Sequence, residues 1–124
     1  MRLLLDTHGL IWWRDDSPRL SANARNLICD PANQIFVSVV TLWEIVLKRS
    51  TGKLHFADDL EQVIQEEAFT LLPIAFAHLR AHETLPLRHK DPFDRMLLAQ
   101  AMAESAPLVT NDRMLRRYGL PILW

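Results

Sequence analysis

The chain has a single cysteine, Cys29, so no internal disulfide can form, and no Cys/His spacing points to zinc. At the end of Ala24-Arg25-Asn26-Leu27-Ile28-Cys29 that thiol reads as a small, buried, unreactive helical residue. No apolar run approaches the ~20 residues of a membrane span. Leu3-Leu4-Leu5 meets Asp6 too soon for a signal-peptide core, so no membrane is expected and cytoplasm is the default compartment. Neither sign of charge dominates. Fourteen Lys+Arg against fifteen Asp+Glu leave a formal charge of -1, which argues against holding nucleic acid by bulk charge alone. A local basic rim around an acidic centre stays open. Internal repeats, low-complexity tracts and linkers are missing, as is any Ser/His/Asp or Cys/His arrangement for covalent catalysis.

What is present is one domain's worth of core. The 124 residues, 49% of them hydrophobic, are enough to fold as a single domain over residues 1–124 and argue against intrinsic disorder. Short apolar runs at Leu3–Leu5, Ile35–Val37, Thr70–Leu72, Pro107–Val109 and Pro121–Leu123 read as strands. Helices are expected over residues 7–14, 22–29, from Ser38 or Thr41 to about 49, from Asp58-Asp59 to about 67, over 75–83 and over 92–104. A short helix from Asp112 to Tyr118 follows. Asp91 and Pro92 supply the cap and first turn of the long helix. Pro121 cannot donate to a ladder, so its strand belongs at a sheet edge. The alternation predicts an α/β fold, a three-layer α/β/α sandwich on a short central parallel sheet.

Four acidic residues stand where a packed core does not want a charge: Asp6 after Leu3-Leu4-Leu5, Glu44 inside Val39-Val40-Thr41-Leu42-Trp43-Glu44-Ile45-Val46-Leu47, Asp94 in Lys90-Asp91-Pro92-Phe93-Asp94-Arg95, and Asp112 after Leu108-Val109-Thr110-Asn111. Each has an ordinary explanation. Asp6, Asp91 and Asp112 suit helix N-caps, Asp94 suits the helix dipole, and Glu44 precedes Lys48 by one turn, the favourable order for a surface ion pair. Taken together they suggest more. Asp6 and Asp112 follow strands directly, and in an open parallel sheet such ends share the edge where ligands bind. Glu44 and Asp94 fall early in their helices and can lean over that edge. Carboxylates gathered there must take up protons or cations, and an all-oxygen set favours Mg²⁺ or Mn²⁺. Such an ion suits attack on a phosphodiester by activated water; one or two ions both remain open. Thr110 and Asn111 are accessory candidates for holding water or phosphate, or else only a turn.

These blocks resemble the successive motifs of PIN-domain ribonucleases, above all the VapC-type toxin branch. They are Leu3-Leu4-Leu5-Asp6-Thr7-His8, Ser38-Val39-Val40-Thr41-Leu42-Trp43-Glu44-Ile45, His89 through Ala101, and Leu108-Val109-Thr110-Asn111-Asp112. The resemblance implies a central parallel sheet, Mg²⁺- or Mn²⁺-dependent cleavage of single-stranded RNA, a homodimer, and a cognate antitoxin that silences the enzyme. It implies that Asp6, Glu44, Asp94 and Asp112 bind the metal and carry the reaction, with Asp91 as an accessory. Gly9 departs from the alanine or other small apolar residue expected there.

Arg88, Lys90, Arg95 and Arg113 would form a basic fringe for RNA phosphates, or else a solvated surface. Trp12, Trp13 and Trp43 would line a partner surface or enter the core, with at least one expected in the core, and Trp124 would pack back onto the sheet. Two rivals remain: a small metal-dependent phosphohydrolase and a catalytically silent module of the same fold. A phosphatase with an aspartyl nucleophile needs a second acid two residues after Asp6, where His8 stands.

Overall fold

In a computed structural model that describes residues 1–87 and 91–124, five strands form one parallel sheet. They are β1 (Arg2–Leu5), β2 (Gln34–Ser38), β3 (Thr70–Leu72), β4 (Leu108–Val109) and β5 (Ile122–Leu123), and their order across the sheet is β3-β2-β1-β4-β5. The connecting helices are α1 (Thr7–Arg14), α2 (Ala22–Cys29), α3 (Val39–Ser50), α4 (Leu60–Glu66), α5 (Phe76–Thr84) and α6 (Pro92–Glu104), followed by a 3₁₀ helix at Arg113–Tyr118.

The alternation of side chains along each strand divides the interior in two. Leu3, Leu5, Ile35, Val37 and Val109 face one cluster, built with Leu10, Ile11, Ala24, Ile28 and Val63 from α1, α2 and α4. Leu4, Phe36, Leu72 and Leu108 face the other, built with Leu97, Leu98 and Ala101 of α6 and with Leu115. The result is the expected three-layer sandwich. Each fully buried Leu contributes roughly 1.5–3 kcal/mol, so the two-sided Leu3-Leu4-Leu5 run is a large part of the core.

The expected boundaries hold closely. Asp91 accepts from the amides of Phe93 and Asp94, and Pro92 occupies the first turn of α6. Ser38, rather than Thr41, caps α3 by accepting from the Val40 amide. Gly119, at φ 70, closes the 3₁₀ helix, and β5 lies at the sheet edge as Pro121 requires. Two expectations fail. Cys29 is exposed, because it is the last residue of α2 and falls on its outer side. No tryptophan is fully buried: Trp12, Trp13 and Trp124 lie half-buried against the first cluster, and Trp43 is exposed.

The strand order carries the functional consequence. From β1 the chain steps outward through β2 and β3, then crosses back to lay β4 on the other side of β1. That reversal creates a switch point between β1 and β4, where the loops leaving the carboxyl ends of the two strands part and leave a crevice. The Asp6 amide donates to the Val109 carbonyl at 3.1 Å, which sets Asp6 and Thr110 side by side at that point.

Candidate active site at the switch point

Asp6 does two things at once. It caps α1, its Oδ1 accepting from the Gly9 amide at 2.6 Å, and it is only 7% exposed. Thr110, also buried, holds the same carboxylate through its side chain and accepts from the Asp112 amide at 3.1 Å. One threonine therefore ties Asp6 to Asp112. Asp112 in turn caps the 3₁₀ helix by accepting from the Met114 amide at 3.0 Å. The two carboxylates share an open pocket of about 240 Å³ with His8, Trp12 and Asn111.

Burial pushes the Asp6 carboxyl above its ordinary range. The hydrogen bonds from Thr110 and Gly9 and the nearby His8 oppose that, and the charge of Glu44 adds to it. Glu44 lies 4% exposed on α3. Its Oε1 accepts from the Thr7 hydroxyl at 2.7 Å and its Oε2 from the Lys48 ammonium. Thr7 also reaches the Thr41 hydroxyl at 3.3 Å. The sequence offered Lys48 as partner in a surface pair; the pair forms, but its acid is buried.

Asp94 stands half-buried in the first turn of α6, and Asp91 is the cap of that helix. Among the described residues no three of His, Cys, Asp and Glu stand together as a set able to hold a metal ion. Asp6 is held by the Gly9 amide and the Thr110 side chain, Glu44 by Thr7 and Lys48, and Asp112 accepts from the Met114 amide. Arg95 turns inward. It is 7% exposed and donates to the carbonyls of Pro86 and Leu85 and to the Tyr118 hydroxyl, so it braces the core instead of a phosphate. Arg113 is exposed just past Asp112. Arg88 and Lys90 lie outside the described residues.

Two participants escaped the reading of the sequence. Thr7 and Thr41 tie Glu44 to the residue after Asp6, and the signal was a threonine beside one acid and another three residues before the next.

An α/β sandwich with paired carboxylates at a parallel sheet's switch point defines a class of acid-lined fold, and the comparisons fix which one. The chain belongs to the PIN domain family, whose model matches residues 3–120. It is 27% identical over 122 residues to Ribonuclease VapC22 of Mycobacterium tuberculosis (strain ATCC 25618 / H37Rv), across 96% of this chain and 93% of the relative. Among solved structures it is similar to VapBC2 from Rickettsia felis bound to a DNA fragment from their promoter. There the TM-score is 0.69 and the identity 19%, over 98% of this chain and 97% of that one. FitAcB from Neisseria gonorrhoeae gives 0.68 and 17%, over 100% and 97%. At these identities the solved structures speak for the fold.

Proposed function

We propose that the chain is a Mg²⁺- or Mn²⁺-dependent endoribonuclease that cuts single-stranded RNA, and that it is the toxin of a type II toxin–antitoxin pair. The observation that carries this reading is the pairing of Asp6 and Asp112 in one open pocket at the switch point of a PIN fold. The similarity to a relative named as a ribonuclease supports RNA as the substrate.

The donor set fits the ion. Mg²⁺ keeps several waters and is held by one or two carboxylates plus substrate phosphate, so an open pocket with two carboxylates suits it better than a closed cage would. Asp6 and Asp112 would hold it, with Asp94 approaching from α6. When bound, the ion supplies Lewis acidity and a more acidic water. The chain's own part is to orient. Gly9 and Thr110 fix Asp6, Thr110 fixes the Asp112 backbone, and Asn111 presents an amide to the pocket. Arg113 and Arg116, exposed beyond Asp112, would meet flanking phosphates.

The partners follow from the same reading. A small cognate antitoxin would silence the enzyme, in keeping with the VapBC name of the Rickettsia felis neighbour. A second copy would cover exposed apolar side chains such as Trp43, Val46 and Leu47 of α3 and Phe76 and Leu79 of α5. No helix among the described residues is long and apolar enough to cross a membrane, and we place the protein in the cytoplasm with its RNA.

The test is purified protein with single-stranded RNA, with Mg²⁺ or Mn²⁺ and with excess chelator. Cleavage should require the metal. Asp6→Asn should lower it by about 100-fold or more, since a metal site contributes several kcal/mol and each ~1.4 kcal/mol is tenfold. Cutting that continues unchanged in chelator would overturn the metal; no cutting at all by an intact, metal-loaded protein would favour a silent module.

A further inference from the structure

His8 and Trp12 line the open pocket that holds Asp6 and Asp112, and the same two residues line a second cavity of about 520 Å³. Asp15, Asp16 and Arg19, from the segment after α1, form one part of its wall. A single strand anchored at the carboxylates therefore has room for a neighbouring nucleotide across Trp12.

The wall is held in place. The Asp15 amide donates to the Ile11 carbonyl and the Ser17 amide to the Trp12 carbonyl, each at 2.9 Å. The Arg19 amide donates to the Ser17 hydroxyl at 3.2 Å. The Asp16 carboxylate is matched by Arg25 at 2.8 Å. Asp15 and Arg19 are both exposed and bring opposite charges to one cavity, yet among the described residues neither enters an ion pair. The Arg19 guanidinium lies over the Trp12 ring, 6.0 Å from its centroid, at the outer limit of a cation–π contact.

A phosphate in this cavity would meet the Asp15 charge, and like charges repel. A base carries no charge and can satisfy both groups through its edges. Two parallel N–H donors suit a carboxylate, and two acceptors suit a guanidinium. Guanine has both, with N1–H and N2–H on one edge and O6 and N7 on the next. Adenine and cytosine offer a carboxylate one amino group, and uracil one ring N–H.

We propose that the second cavity is a guanine subsite. Asp15 accepts from N1–H and N2–H, Arg19 donates to O6 and N7, and the guanosine lies within one or two nucleotides of the scissile phosphate. This rests on the nuclease reading above.

The test uses the full chain with short single-stranded RNAs in chelator, read by fluorescence anisotropy, so that binding is seen without cutting. One guanosine in a uridine oligomer should raise affinity by about tenfold, the size of one good base contact. Inosine, which lacks the N2 amino group, and 7-deazaguanosine, which lacks N7, should each lose most of that gain on wild type. Asp15→Asn should no longer distinguish guanosine from inosine but should still sense N7; Arg19→Met should do the reverse. Both positions are exposed, and circular dichroism checks that the fold is intact. No gain from guanosine, an equal gain from another base, or a gain that survives both variants would overturn the subsite. Sequencing the cut ends of a mixed RNA pool in Mn²⁺ separates the two readings. Cutting without a guanosine preference sinks only the subsite, the anisotropy pattern without cutting sinks only the nuclease reading, and a chain that shows neither sinks both.

Discussion

The Gly9 amide donates to Asp6 Oδ1 across 2.6 Å, at a position where a side chain on residue 9 would crowd that oxygen. A Cβ there would stand 2.7 Å from Leu5 Cδ1 and 2.8 Å from Asp6 Oδ1. A side chain at residue 9 would therefore have to displace the end of Leu5 and the Asp6 carboxylate.

Gly9→Ala should therefore damage activity more than stability. Alanine is the better helix former by about 1 kcal/mol, which offsets part of an overpacking penalty of roughly 1–3 kcal/mol. Thermal unfolding should move by a few degrees at most, while RNA cleavage should fall by about tenfold or more as Asp6 is pushed from its place. Full activity in Gly9→Ala would show that Asp6 tolerates the displacement.

The metal-free protein should gain stability when Asp6 is neutralised. Burial raises the folded-state affinity of Asp6 for a proton, so above the ordinary carboxylate range the folded chain holds a proton that the unfolded chain has released. Stability then falls as pH climbs from the ordinary value, 3.8, through the raised one, and the penalty is complete above it. Asp6→Asn keeps an acceptor for Gly9 and removes the charge. In chelator at neutral pH it should melt higher than wild type, and the gap should close as pH drops toward 3.8. Saturating Mn²⁺ should reverse the order, because only the wild type gains from binding. A variant less stable in chelator would mean that the ionised form is the better fit.

Much of this was visible in the letters, and the part that was not has a physical cause. The strands and helices were legible because Leu3-Leu4-Leu5, Asp91-Pro92 and Gly119 are strong local signals that the core then reinforces. The pairing of Asp6 with Asp112 was legible because both follow strands. What stayed hidden were partners set by three-dimensional packing. Arg95 looks like its basic neighbours in the sequence, but α6 turns it onto the carbonyls of Leu85 and Pro86. Glu44 followed by Lys48 looks like a surface pair until α3 packs and buries the acid. Cys29 falls on the wrong side of the last turn of α2, where a one-residue rotation decides exposure.

Away from the site, buried His78 clamps α5 to α6. Its Nδ1 accepts from the Ala75 amide at 2.9 Å, which leaves Nε2 to face Glu104 Oε2 at 3.0 Å. His78 first, then Arg2, holds the Glu104 carboxyl below its ordinary range. A lowered folded-state value stabilises above the unfolded one, 4.5, and that contribution is lost as pH falls through the folded value. Glu104→Gln should cost on the order of 1 kcal/mol at neutral pH, a few degrees in Tm, and nothing in strong acid. A pH-independent difference between the two melting curves would assign the loss to packing instead.

Trp12 lines the same pocket as Asp6 and Asp112, with the His8 ring centroid 5.4 Å away and Trp124 meeting its edge at 5.8 Å. An indole wall beside two carboxylates suits an unpaired base, because stacking needs no particular sequence and contributes roughly 1–3 kcal/mol per base. If RNA is the substrate, Trp12→Ala should raise KM by about tenfold or more and leave kcat close to wild type, and Trp12→Phe should recover most of the loss. Circular dichroism must show an intact fold, since Trp12 also packs half-buried on the core. Equal losses in kcat and kcat/KM would place Trp12 in support of Asp6 instead of against the base, and no change in either would make it a core residue alone.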